Sequence, residues 1–235
     1  MSRAPIAVAL DAPDRETLSA WARAVGPHVS TLKVGLEAYL RDGHAAVEAA
    51  RAAAPDCAIF LDLKFHDIPA TVSGAARAVA DLAPDYLTVH ASGGPAMVAA
   101  AAEALPRTRV VAVTVLTSLT TQDLHDLNLL GPGVDSAGDL AVRLAVAAAD
   151  AGARAVVCSP EEVGDVRAAL GDRDVVLITP GVRPAGAAMG DQRRVATPRE
   201  ALSRGADLLV IGRPITGAAD VGAAAAAIAR DLLDG

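Results

Sequence analysis

Aromatic side chains are nearly missing from this 235-residue chain: two Phe, two Tyr and one Trp make up 2% of it. That removes the base-stacking surface on which single-strand nucleic-acid binders rely. A basic excess is missing as well, since 21 Lys and Arg face 28 Asp and Glu for a net charge of −7. Such a balance argues against a general binder of nucleic acid or anionic membrane, which needs a basic patch to neutralise phosphates. A small phosphate ester stays open, because one or two placed arginines suffice to hold it. No stretch reaches the ~20 uninterrupted apolar residues of a membrane span. The start, Met1-Ser2-Arg3-Ala4-Pro5, runs straight into a strand pattern and not into a secretory apolar segment, so the expectation is a cytoplasmic protein off the membrane. Cysteine occurs twice, as Cys57 and Cys158, far apart and without metal-ligand spacing. Both are expected to be small buried apolar groups, not a disulfide.

What the chain has is aliphatic. Apolar residues make up 52% of it, enough for one well-buried domain over residues 1–235 with a core of Val, Leu, Ile and Ala. Eight apolar runs of strand length alternate with helical patterns: Ile6 to Leu10, Thr31 to Val34, Ala58 to Leu63, Tyr86 to Val89, Val110 to Leu116, Ala155 to Cys158, Val175 to Ile178 and Leu208 to Ile211. Helices are expected from near Asp14, from about Leu36 to Ala53, and from near Pro69, Gly94, Ser136, Pro160, Pro198 and Pro214. Proline in a first helical turn is tolerated because its missing N–H would have had no helical partner. Strict alternation of strand and helix predicts a parallel sheet, and eight units favour a closed (β/α)8 TIM barrel over an open doubly wound sheet. No G-x-G-x-x-G follows the first strand, which takes away the main dinucleotide signature.

The most informative stretch is Ile59 to Thr71, IFLDLKFHDIPAT, where an apolar run meets Asp62, Lys64 and Asp67. An isolated Asp-x-Lys-x-x-Asp is ordinarily a solvated ion pair that contributes little. Here the strand leading in is apolar at almost every position, as in a strand buried on both faces. Charges at the carboxyl end of such a strand lie at the mouth of a packed core, where α/β folds carry their chemistry. Being two apart, Asp62 and Lys64 project to one side, about 6–7 Å apart along the strand. A barrel would also bring Asp11, Lys33, His90, Thr117, Ser118, Ser159, Thr179 to Arg183, Gly212 and Arg213 to the same face.

Two connections are long for a barrel. Thr120 to Gly138 contains Gly131-Pro132-Gly133 and leaves room for a helical piece; Pro180 to Thr197 is rich in Gly and Ala but carries Arg183, Gln192, Arg193 and Arg194, as a closing loop over a site would. The eighth strand ends in Gly212-Arg213-Pro214-Ile215, where N–H groups at a helix start and the Arg213 guanidinium would suit an anion. Loops after strands seven and eight commonly hold phosphate in barrels, and Arg183 and Gln192 would add donors.

Taken in chain order, VALD, LKVG, DLKFHDIPATV, VTVLTSL, PGVRP, GDQRR and IGRPI resemble the orotidine 5′-phosphate decarboxylase family over essentially the whole sequence. The resemblance implies a cofactor-independent lyase with neither metal nor organic cofactor, converting orotidine 5′-phosphate to UMP in the last step of de novo UMP synthesis. It implies that Asp11 and Lys33 contact the ribose side, that Asp62 faces the substrate carboxylate, and that Lys64 protonates C6. Asp67 and Thr71 would reach into a neighbouring subunit's site, making a homodimer the active unit. Thr117 and Ser118 would contact the pyrimidine; Arg183, Gln192, Gly212 and Arg213 would hold the phosphate. The closing loop has Arg193 and Arg194 where some members place a tyrosine, so the grip on phosphate differs in detail. The rivals are a metal-dependent decarboxylase or aldolase of sugar phosphates on the same barrel, and a non-catalytic nucleotide-phosphate-binding barrel.

Overall fold

The computed structural model describes residues 3–183 and 196–233. Among them, eight parallel strands close into a barrel in chain order: β1 (Ala4–Ala9), β2 (Val29–Gly35), β3 (Ala58–Phe65), β4 (Tyr86–His90), β5 (Arg109–Val113), β6 (Ala155–Val157), β7 (Val176–Thr179) and β8 (Leu208–Ile211). β1 pairs with β8 through Ile6 and Leu209, which seals the sheet. The helices α1 (Arg15–Val25), α2 (Leu36–Asp42), α3 (His44–Ala53), α4 (Pro69–Ala78), α5 (Pro95–Ala104), α6 (Thr121–Asp126), α7 (Ala137–Asp150), α8 (Val163–Leu170), α9 (Pro198–Ser203), α10 (Arg213–Thr216) and α11 (Val221–Leu233) surround it. This is the (β/α)8 TIM barrel that the alternation predicts. No helix of the described residues is long and apolar enough to cross a membrane.

Several helix boundaries follow from single residues. Asp14 caps α1 by accepting from the Thr17 N–H at 2.7 Å. The single helix expected over residues 36–53 is two helices, because Gly43 interrupts it with φ 61° and ψ −139°, a conformation open to glycine alone. The helix expected from Pro160 begins at Val163; the intervening residues make a turn in which the Glu162 N–H donates to the Ser159 carbonyl at 3.1 Å. The first long connection does carry a helix, α6, held by a capping box between Thr120 and Asp123. The last helical pattern is divided into α10 and α11, and the fifth strand stops at Val113, three residues short of its expected end.

Alternation along each strand separates two cores. Leu32, Val34, Ile59, Leu61, Leu87 and Val89 face the helices, whereas Ala7, Phe60, Val111, Ala155, Ile178 and Leu208 fill the barrel interior. Phe60 is the bulkiest of the interior set, 1% exposed, its ring tilted against Tyr86 at a centroid distance of 5.6 Å. It forms the floor on which the polar end of the barrel stands. Both cysteines are buried and unpaired with one another, as their spacing suggested. Phe60→Ala should lower the unfolding free energy by about 3–5 kcal/mol through lost burial and an interior cavity; urea denaturation followed by circular dichroism measures it, and a loss under about 1 kcal/mol would contradict this packing.

Candidate active site

Moving up the barrel from Phe60, the inward positions turn polar. Lys33 on β2 lies level with Ala9 and Phe60, and Asp62 on β3 is level with Gly35. Their side chains form a chain of alternating charge. Lys33 Nζ stands 3.8 Å from Asp11 Oδ1 and 3.1 Å from Asp62 Oδ2, while Lys64 Nζ donates to Asp62 Oδ1 at 2.7 Å. Gly35 is the next inward residue after Lys33. A Cβ there would stand 2.8 Å from Asp11 Oδ1 and 2.9 Å from Lys33 Nζ, so any larger residue would require the ends of this pair to shift.

Burial and charge oppose each other here. Burial alone would push the Asp62 carboxyl up; the Lys33 and Lys64 ammoniums outweigh it and hold the group at about 2, against an ordinary 3.8. For Lys33, burial works to lower its value, and Asp62 and Asp11 outweigh that and raise it. Both groups are therefore ionised at neutral pH, in a place where neither would be charged alone.

These groups open onto a cavity of about 570 Å³ at the carboxyl ends of the strands. Its lining includes Asp11, Lys33, Asp62, Lys64, Thr117, Arg183, Gly212 and Arg213, so eight of the sequence-predicted residues meet on one wall or another. Thr117 is half-buried. Ser118 is exposed and does not line the cavity. Gln192, with Arg193 and Arg194, lies outside the described residues. The bridge between Val182 and Ala196 ties together the two ends of that connection. The helix after Gly212 is a single turn, Arg213–Thr216, whose Ile215 and Thr216 N–H groups already donate to the Gly212 carbonyl. The cationic groups that this end of the cavity presents are Arg183 and Arg213.

Asp67 and Thr71 are exposed and absent from this cavity's lining. Asp67 Oδ1 accepts from the Ile68 N–H at 2.6 Å, and among the described residues Asp67 pairs with neither lysine of its own chain. The expectation that every strand end supplies a polar group to one face also needs correction. His90 is partly buried against His66, with ring centroids 5.2 Å apart, and burial first, then the charges of His66 and Lys64, lower its pKa from 6.5. Ser159 and Thr179 are wholly buried. None of the three lines the cavity. Gly35 and Thr88 are not among the sequence-predicted residues; a polar residue on the face of β4 that carries Tyr86 and His90, alternating with apolar Leu87 and Val89, is the available signal for the second.

A family model described as orotidine 5′-phosphate decarboxylase / HUMPS family matches residues 4–228. The chain belongs to this family. A protein named orotidine 5′-phosphate decarboxylase from Thermobifida fusca (strain YX) is 68% identical over 229 residues, covering 97% of this chain and 96% of that one. Another of the same name from Frankia casuarinae is 54% identical over 248 residues, covering 98% and 88%. A crystal structure of orotidine 5′-phosphate decarboxylase from Lactobacillus acidophilus superposes with a TM-score of 0.81 at 33% identity, over 98% of this chain and 99% of that one. The orotidine 5′-phosphate decarboxylase / HUMPS fold is thus shared from end to end.

The buried charge chain has a measurable pH signature. Because the folded Asp62 value lies below its ordinary one, its ionised form stabilises the fold above about pH 4, by about 2 kcal/mol, and that contribution fades as pH falls toward 2. The stability difference between the wild type and Asp62→Asn should therefore be largest near neutrality and shrink between pH 4 and pH 2. Urea titrations at a series of pH values test this, and a difference that stays constant over that window would contradict it.

Proposed function

We propose that this chain decarboxylates orotidine 5′-phosphate to UMP and carbon dioxide without a cofactor, with Lys64 delivering the proton to C6. The single observation that carries the reading is the charge chain Asp11, Lys33, Asp62, Lys64 at the wall of a cavity that also holds Arg183 and Arg213. Relatives bearing the decarboxylase name at 68% and 54% identity support the same reaction.

The chemistry follows from charge. Loss of carbon dioxide leaves a carbanion at C6 with no conventional electron sink, so the barrier falls only if a fixed positive group stands where negative charge develops. The Lys64 ammonium, held by Asp62 at 2.7 Å, is such a group, and it carries the proton that quenches the carbanion. Asp62 would face the substrate carboxylate, and Asp11 with Lys33 the ribose. Thr117 and Ser118 would meet the pyrimidine. Arg183, Gln192, Gly212 and Arg213 would take the phosphate, whose binding energy, remote from C6, can be used to close the site and lower the barrier.

The metal-dependent rival fits the donor set less well. Both Asp62 oxygens already face an ammonium, at 2.7 and 3.1 Å, and two neighbouring cations oppose a third. Carbon dioxide release from orotidylate should accordingly survive EDTA, and Lys64→Ala should lose on the order of 10³-fold or more in turnover while still binding UMP. A strict Mg²⁺ requirement, or a Lys64→Ala variant with wild-type turnover, would overturn the reading.

The homodimer belongs to the same proposal. Asp67 and Thr71 are exposed and do not line their own cavity, and exposed Leu36 and Ile68 follow the ends of β2 and β3 on this side of the barrel, apolar groups suited to contact with a second copy. In a dimer Asp67 would complete the partner's charge chain beside Lys64. Mixing inactive Asp67→Ala and Lys64→Ala variants should then regenerate activity in hybrids that have one site with both native residues. Confirmed subunit exchange without any recovery would argue for self-contained sites.

A further inference from the structure

β3 does not pair evenly with β4. Leu61 is opposite Leu87 and Phe65 is opposite Val89, so four steps along β3 (61 to 65) run against two along β4 (87 to 89). The excess is taken up where Lys64 adopts φ 50°, a left-handed conformation that a side-chain-bearing residue holds only under constraint. With the ladder out of step, the Lys64 N–H finds its partner elsewhere: it donates to Thr88 Oγ1 at 2.8 Å. The same hydroxyl lies 3.0 Å from Asp62 Oδ1, the oxygen that also accepts from Lys64 Nζ.

The direction of every bond in this triangle is fixed. A backbone N–H only donates and an ionised carboxylate only accepts, so the Thr88 hydroxyl must accept from Lys64 and donate to Asp62. Thr88 is wholly buried on the inward register of β4, behind the cavity wall, which it does not line. It holds the backbone of one charged residue and the carboxylate of the other through a single oxygen atom.

We propose that Thr88 is a positioning residue for the reaction: its hydroxyl locks the bulged backbone at Lys64 and the rotamer of Asp62 together, so that the ammonium is aimed at one point in the cavity. The inference rests on the decarboxylase reading of the site. Without the hydroxyl, Lys64 keeps its charge and its contact with Asp62 but loses the constraint on where both stand. Small misplacements of a reacting group are expensive in rate, and a loss of turnover of roughly 10- to 100-fold is expected.

Two readouts test it. Thr88→Val is nearly isosteric and removes only the hydrogen bonding; Thr88→Ala replaces it if the valine variant does not fold, and Thr88→Ser restores the hydroxyl. The expected pattern is a kcat for orotidylate down by roughly 10- to 100-fold in the valine or alanine variant, KM within about threefold of wild type, and recovery to within about threefold in the serine variant. The second readout uses an accident of composition: the chain has two lysines, Lys33 and Lys64, so ¹⁵N-lysine labelling yields two backbone amide signals. In the valine or alanine variant the Lys64 amide should shift and lose exchange protection while Lys33 does not; in the serine variant both should match wild type. A folded valine or alanine variant with wild-type kcat, a serine variant no better than it, or an unmoved Lys64 amide would overturn the role of Thr88 even with an active wild type. A wild type that does not turn over orotidylate overturns the decarboxylase reading instead.

Discussion

A carboxylate that burial would neutralise, kept ionised by an ammonium on each side, is the constraint around which this barrel is arranged. Asp62 is only 8% exposed, and taking it from water is unfavourable unless Lys33 and Lys64 stay in place. Each of those lysines then needs its own support. Lys33 is flanked by Asp11, and the two side-chain ends meet over residue 35, where a Cβ would displace them. Lys64 departs from ordinary strand geometry, and Thr88 takes up the N–H that the β3–β4 ladder leaves over.

The fold supplies this arrangement with rigidity. β1, β2, β3 and β4 are consecutive neighbours in the sheet, so Lys33, Asp62 and Thr88 come from adjacent strands, and Asp11 stands two residues past the end of β1. Below them Phe60 and the small aliphatic interior exclude water, which strengthens every interaction between the charges above. The opposite side is built differently, from connections after β7 and β8, with Arg183 and Arg213 at the edge of the cavity. Rigid charge on one side and arginines on connecting segments on the other suit a site that fixes its chemistry and closes over its ligand.

Much of this was legible in the residues because it depends on short-range rules. Strand-length apolar runs alternating with helical patterns determined the (β/α)8 barrel, and position at or just past the carboxyl end of a strand determined that Asp11, Lys33, Asp62, Lys64 and Arg213 would share one end. The same reasoning failed for His90, Ser159 and Thr179, because being at a strand end sets height along the barrel and not what covers the side chain: His66 packs against His90, and Ser159 and Thr179 are wholly buried.

What the sequence by itself determined, then, was the architecture and the charged groups, since periodicity of two along strands and of 3.6 along helices is written locally. Tertiary structure alone decided the pairings. The two-position slip of β3 against β4, the close approach of Asp11 to residue 35 and the capture of the Lys64 N–H by Thr88 all arise between segments far apart in the chain. They are set by register and by space, which no single strand carries in its own residues.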